Sequence, residues 1–193
     1  MEIEERELHF APEEPLLAWR LFRIRRDAAG PVLSSPMYDD PDPTPWPKAK
    51  TAACTEPHAA PAPRCRCGLY AAIEGTLDSL PGYLRDNRHD EDPWAFAEVA
   101  CSGRVFVDMR GVRAERAEIV RIALAEECWP DAAALAAAKE ALGERYGVPV
   151  VGLAAAPGWL GRDPWGGGGR ADGREGPPPE DATLDLDSLG LGP

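Results

Sequence analysis

The sequence has no apolar run long enough to cross a bilayer, since a spanning helix needs about 20 consecutive apolar residues. It also lacks the basic segment and apolar stretch of a secretory leader, because residues 1–5 read Met-Glu-Ile-Glu-Glu. We therefore expect a cytoplasmic protein without membrane attachment. Thiols stay reduced in that compartment, so clustered cysteines favour metal binding over disulfide formation.

The chain has fewer basic than acidic residues. The 193 residues include 21 Lys and Arg against 33 Asp and Glu, which gives a formal net charge of −12. Such a chain repels phosphate backbones, which bind clustered Lys and Arg, so a nucleic-acid partner is disfavoured. One basic strip is the exception and keeps a nucleic-acid-associated regulator as an alternative function. Its members are Arg20, Arg23, Arg25 and Arg26.

The sequence motifs of common catalytic sites are absent. Neither Gly-x-Ser-x-Gly nor His-Glu-x-x-His occurs, and the glycine run at 166–169 lacks the Lys-Ser/Thr of a phosphate-binding loop. A non-enzymatic protein is therefore our first interpretation. The enzymatic alternative places a pocket on the central strands, where Arg113 and Glu115 share one strand face beside Arg110. His89 is a further candidate for that pocket, and a structural ion pair is the competing interpretation of Arg113 and Glu115.

The chain does contain four residues of metal-ligating type within one short segment. Three thiolates and one imidazole are ligands that a tetrahedral zinc site uses, and four protein ligands leave no open coordination position. Gly68 follows the last thiol, where a backbone that folds back over a Cys-x-Cys pair often needs a positive φ. We therefore predict structural zinc in the proline-rich loop 54–68. The ligands, in a C-x3-H-x6-C-x-C spacing, are Cys54, His58, Cys65 and Cys67.

Two other interpretations of this cluster stay open. The cysteines are then either incidental members of an Arg- and Pro-rich loop, or two of them form a redox-sensing disulfide. The spacing departs from the usual zinc patterns, because Cys-x-Cys replaces Cys-x2-Cys and Cys-x3-His stands where a second pair is common. The remaining cysteines, Cys101 and Cys128, have apolar surroundings, and we expect core thiols rather than nucleophiles.

The pattern of apolar runs and turns predicts an α+β domain with a small antiparallel sheet. The 21 prolines and 19 glycines favour long loops over a helical bundle. A hairpin is expected from residues 16–25 and 31–38. A meander of short strands is expected over residues 95–124, with breaks at Ser102-Gly103 and Arg110-Gly111.

One main C-terminal helix completes the predicted domain. It spans residues 132–146, with Asp131 as its N-cap and Gly147 at its end. A shorter helix is expected at 77–84. Residues 148–153 should follow the main helix as a final strand or a packed extension.

The expected domain organisation has three parts. Residues 1–15 form a loose N-terminal lead-in, residues 16–155 form a single α+β domain, and residues 156–193 form a disordered Gly/Pro-rich acidic tail. Acidic residues and leucines alternate near the end of the tail. That pattern suits either a short docking motif or a solubilising tail.

Three segments together resemble a family of small uncharacterised actinobacterial proteins over roughly residues 16–153. The family is similar in having a Cys/His loop that ends in Cys-x-Cys-Gly, followed by an aromatic residue and Ala. The resemblance implies a single cytoplasmic domain and no assigned activity. The segments are the 54–71 loop, Cys101-Ser-Gly-Arg-Val-Phe-Val and Gly111-Val-Arg-Ala-Glu.

The leading hypothesis for function is a non-enzymatic, zinc-stabilised module that binds another protein. The metal loop supplies the stability, and the acidic surface and tail supply contact surfaces. The pathway, the partner and the oligomeric state do not follow from the sequence.

Overall fold

Eight strands in one mixed sheet and a single α-helix make up the described part of the chain. The computed structural model describes residues 5–36, 44–73, 93–108 and 111–153. The strands are β1 (Arg6–Phe10), β2 (Leu16–Asp27), β3 (Gly30–Ser34), β4 (Ala49–Thr51), β5 (Leu69–Ala71), β6 (Trp94–Asp108), β7 (Gly111–Leu124) and β8 (Val150–Gly152). The helix α1 spans Ala132–Tyr146, and one 3-10 turn, Glu126–Cys128, precedes it.

The long strands β6 and β7 form the central hairpin and set the length of the sheet. They pair antiparallel along nearly their whole length, with two register shifts. The expected meander of short strands is therefore wrong in one respect, because Ser102-Gly103 does not turn the chain. Gly103 (φ 75°) lies in a bulge, and a Cβ built there would meet the carboxylate of Glu115 at 2.8 Å. The glycine thus marks a close approach between paired strands, not a strand end.

Each long strand carries shorter strands along its outer edge. β1 and β2 pair antiparallel with β6, and β3 pairs with β2 as the predicted hairpin. β4 and β5 pair antiparallel with β7, and β8 pairs parallel with it. The sheet curls into a half-barrel. At one place the curl brings Trp19 and Ala72 together, and they exchange two backbone hydrogen bonds of 2.7 Å.

Alternation along β6 sends side chains into two apolar clusters on opposite faces of the sheet. Small residues face the main core, where they leave room for Phe22, Leu33 and Trp46 inside the curl. Large rings face the second cluster. The β6 residues of the main core are Ala95, Ala97, Val99, Cys101, Val105 and Val107, and those of the second cluster are Trp94 and Phe96.

The helix α1 packs on the main core and contacts β3 and β8. Leu142 and Tyr146 are among its buried residues. Both predicted caps are confirmed. The Asp131 carboxylate accepts a 2.7 Å hydrogen bond from an N–H of the first turn, and Gly147 adopts φ 61° where the helix ends. No helix within the described ranges is long and apolar enough to cross a membrane.

The N-terminal segment differs from the loose lead-in expected over residues 1–15. Arg6–Phe10 form β1, because Leu8 and Phe10 pack against the main core while their polar neighbours face outward. Residues 150–152 form a strand, as one of the two expectations for 148–153 had it. The expected short helix at 77–84 and the tail at 156–193 lie outside the described residues.

Tyr146 links the helix to the sheet through its buried hydroxyl. That oxygen accepts a hydrogen bond from the N–H of Leu33 at 2.9 Å and donates one to the carbonyl of Trp46 at 3.0 Å. We predict that Tyr146→Phe lowers the free energy of unfolding by about 1–3 kcal/mol, because two buried backbone groups lose their partner. Urea unfolding measures this change. Tyr70→Phe is the control, since Tyr70 is 47% exposed and its hydroxyl donates to the carbonyl of Arg66, and an equal loss there would contradict the prediction.

Candidate metal centre

The Cys/His loop leaves and rejoins the same edge of β7. β4 ends at Thr51 opposite Arg116, and β5 begins at Leu69 opposite Ala114. The chain between them, residues 52–68, is therefore an excursion whose two ends lie side by side on one strand. Both ends are held in the ladder, so the loop closes on a fixed base.

The four predicted ligands meet inside this loop, with all ligand atoms within 4.8 Å of one another. The Sγ atom of Cys54 lies 3.7 Å from Sγ of Cys65 and 3.4 Å from Nε2 of His58. A tetrahedral ion with metal–sulfur bonds of about 2.3 Å has S···S edges of about 3.8 Å and S···N edges of about 3.5 Å. The two separations agree with those edges. Cys54, His58, Cys65 and Cys67 are thus positioned to hold a metal ion.

The loop cysteines are free thiols, not disulfide partners. The 3.7 Å between the Cys54 and Cys65 sulfurs is far longer than an S–S bond of about 2.05 Å. A sulfur-rich set with one imidazole suits zinc or another ion that accepts soft ligands. Because four protein ligands complete a tetrahedron, the arrangement suits holding an ion in place more than opening a position for substrate.

Hydrogen bonding separates the acidities of the two thiols in the Cys-x-Cys pair. The backbone N–H and the thiol of Cys67 lower the pKa of Cys65 to about 7, since both stabilise its thiolate. Burial, followed by the neighbouring Cys65 sulfur, raises the pKa of Cys67 to about 11. One thiolate of the pair is therefore available near neutral pH before any ion binds, and a bound cation would favour the second.

Two arginines of the central hairpin hold the loop backbone. Nη2 of Arg104 donates to the carbonyl of Ala59 at 2.8 Å. Nη1 of Arg113 donates to the carbonyl of Cys67 at 2.9 Å and to that of Cys65. The bonds from Arg113 orient the carbonyls of the two cysteines in the Cys-x-Cys pair. Gly68 adopts φ 129°, so the expected positive φ after the last thiol is confirmed.

The residues expected to line a pocket make other contacts in the structure. Arg113 is buried and pairs with Glu5 rather than Glu115. The carboxylate of Glu115 accepts a 3.1 Å hydrogen bond from the backbone N–H of Arg104 and lies 3.5 Å from the guanidinium of Arg116. Arg110 and His89 lie outside the described residues.

The basic strip is divided between the two faces of β2. Alternation sends Arg20 and Arg26 to one face and Arg23 and Arg25 to the other. The guanidinium of Arg20 lies over the ring of Trp46, 4.4 Å from its centroid, and Arg23 is 5% exposed. The strip therefore does not present four charges on one surface.

Cys101 is confirmed as a core thiol. It is fully buried, and burial raises its pKa to about 12, which removes it as a nucleophile near neutral pH. Cys128 is half-buried and packs against the second apolar cluster. Sequence reasoning missed Glu5 and Arg104, because their partners lie far along the chain and no local pattern marks them.

No family model matches the chain, and no curated protein or solved structure is detectably similar to it. The resemblance to small actinobacterial proteins therefore stays a prediction. The function has to be argued from the geometry of the loop.

The close packing around Gly68 generates a first prediction for this site. A Cβ at position 68 would lie 3.1 Å from the Cβ atoms of Arg113 and Pro61, whereas a Cβ at Gly30 meets nothing within 4 Å. Both glycines have positive φ. We expect Gly68→Ala to weaken metal binding about 10-fold or more, because it displaces the Cys-x-Cys backbone. Gly30→Ala carries a similar backbone strain and should leave affinity unchanged. Chelator competition measures both, and equal effects would contradict the prediction.

The thiol acidities generate a second prediction. In reduced, metal-free protein near pH 7, iodoacetamide should modify Cys65 faster than Cys67 or Cys101, because the thiolate is the nucleophile. The pKa of Cys65 is lowered, so its rate should stay high above about pH 7 and fall as the pH drops through that value. Peptide mapping by mass spectrometry gives the rates. Equal labelling of Cys65 and Cys67 would disprove this assignment.

Proposed function

We propose that this protein is a non-enzymatic protein-interaction or regulatory module whose metal loop is held by one structural zinc ion. The ligands are Cys54, His58, Cys65 and Cys67. One observation carries the metal part of the proposal, which is that four ligand atoms of suitable type lie within 4.8 Å of one another.

The loop needs a metal because it has little apolar surface of its own to bury. Within residues 52–68, only Ala60 and Pro61 are buried. Ordering a backbone costs about 1–2 kcal/mol per residue, which two small buried side chains do not offset. Zinc binding adds its free energy directly to folding when the site forms only in the folded chain. A metal ion is therefore the natural source of the missing stabilisation.

Surface features support a binding role for the stabilised loop. Tyr70, directly after the loop, is 47% exposed, and its hydroxyl donates to the carbonyl of Arg66 at 2.5 Å. Leu17 on β2 is 54% exposed. A metal-fixed loop would hold Tyr70 in one orientation, which reduces the entropy lost on binding. The net charge of −12 favours a partner with a basic surface.

The two alternative functions have less support. A nucleic-acid-associated regulator needs clustered cations, and the basic strip is split between the faces of β2. An enzyme with a pocket on the central hairpin needs free polar groups that converge. Arg113 instead donates to Glu5 and to the carbonyls of Cys65 and Cys67.

The test of this proposal is the metal content of protein purified under reducing conditions. We expect about one zinc per chain by elemental analysis and native mass spectrometry. Cys65→Ser should lose the metal and unfold at a lower temperature, because it removes one of four ligands. Cys128→Ser is the matched control, since Cys128 lies outside the cluster, and it should keep the metal.

Two outcomes would contradict the proposal. Metal-free protein whose mass is lower by two hydrogens per cysteine pair would favour the redox-sensing disulfide. Full metal content in Cys65→Ser would show that other residues hold the ion. Either outcome would mean that these four residues do not form a structural zinc site.

A further inference from the structure

Arg113 contacts two segments that are far apart in sequence. Its Nη1 donates to the carbonyls of Cys65 and Cys67 in the metal loop. Its Nε and Nη2 donate to Oε1 of Glu5, at 3.1 and 2.6 Å. Glu5 directly precedes β1. One guanidinium therefore joins the metal loop to the start of the N-terminal strand.

The surroundings of Arg113 make these contacts interdependent. The residue is only 7% exposed, and its guanidinium lies over the ring of Phe106, 5.0 Å from the centroid. A cation this far from water needs its hydrogen-bond partners, because an uncompensated buried charge is strongly destabilising. The carboxylate of Glu5 supplies the opposite charge, and the loop carbonyls supply the remaining acceptors. Loss of either set leaves the guanidinium in an unfavourable position.

The N-terminal strand has few other attachments. β1 has five residues and pairs with β6 alone among the described strands, from Arg6 opposite Val107 to Phe10 opposite Gly103. Leu8 and Phe10 are only partly buried against the main core. For a short edge strand of this kind, the ion pair between Glu5 and Arg113, directly before its first residue, is a further attachment to the sheet.

We propose that metal binding at the loop and docking of β1 on β6 are thermodynamically coupled through Arg113. This inference rests on the proposed function, because it assigns a regulatory consequence to the same metal site. With the ion bound, the carbonyls of Cys65 and Cys67 stand at fixed positions and hold the guanidinium against Glu5. Without the ion those carbonyls lose their fixed positions, and the contact between Arg113 and Glu5 that holds β1 weakens. Coupling is reciprocal, so a weaker Glu5 contact must also weaken metal binding.

Hydrogen exchange on the full-length protein, zinc-loaded and after chelation, tests the first direction. The amides of β1 should exchange faster after the metal is removed. The amides of α1 serve as the internal control, because the helix packs against β3 and β8 rather than against the loop or β1. Equal protection of β1 with and without zinc would overturn the coupling.

Metal affinity of variants tests the reciprocal direction. Glu5→Gln should weaken zinc binding by roughly 5–150-fold, the range typical of coupled sites. Glu7→Gln is the matched control, because Glu7 lies on the same strand and pairs with the exposed His9. The zinc affinity of this variant should equal that of the wild type. Arg113→Lys keeps the charge but loses the forked donors, so its zinc affinity should fall as much as that of Glu5→Gln. Wild-type affinity in Glu5→Gln would refute the inference.

The two proposals fail in distinguishable ways. If zinc binds with one ion per chain but neither β1 exchange nor Glu5→Gln affinity responds, the coupling is wrong and the structural zinc site stands. If the wild type binds no zinc, the stoichiometry shows this before any exchange experiment, and both proposals fall.

Discussion

The central constraint is the buried guanidinium of Arg113, which is hydrogen-bonded both to the Cys/His loop and to Glu5 at the start of the N-terminal strand. It lies on β7, beside Phe106 of β6, at the end of the long hairpin where β1 and β5 pair with the two strands. A charged group in this position must be surrounded by acceptors, and the chain brings them from residue 5 and from the Cys-x-Cys pair. The positions of Cys65 and Cys67 are therefore set partly by how Arg113 packs within the sheet.

The domain core and the loop 52–68 are stabilised in different ways. The curled sheet and α1 rely on apolar burial, with Phe22, Leu33, Ile119 and Leu142 among the fully buried side chains. The loop 52–68 has almost no such burial and is tied instead by backbone carbonyls, two arginines and four ligand atoms. That division explains how a domain with an apolar core carries a proline-rich loop on the edge of one strand. The loop therefore relies on polar contacts, whereas the rest of the described domain relies on its apolar core.

Parts of the fold with local signals could be predicted. The helix from Ala132 to Tyr146 follows from its caps, because Asp131 and Gly147 act on neighbouring residues. The hairpin β2–β3 follows from its apolar runs and the turn between them. The bulge at Gly103 could not be told from a turn, since glycine serves both and the choice depends on Glu115 across the ladder. β1 was missed because it has only two apolar residues, Leu8 and Phe10, and they stabilise a strand only by packing against the main core.

By itself, the sequence determined which atoms are able to bind a metal, since ligand type and spacing are written in the order Cys54, His58, Cys65, Cys67. It also determined the caps and turns, which depend on residues a few positions apart. Only the tertiary structure decided that the loop returns to the strand it left, that the basic strip is divided between two faces, and that Arg113 pairs with Glu5 rather than Glu115. The physical reason is distance along the chain. Long-range partners are selected by burial and by the curl of the sheet, and neither has a local sequence pattern.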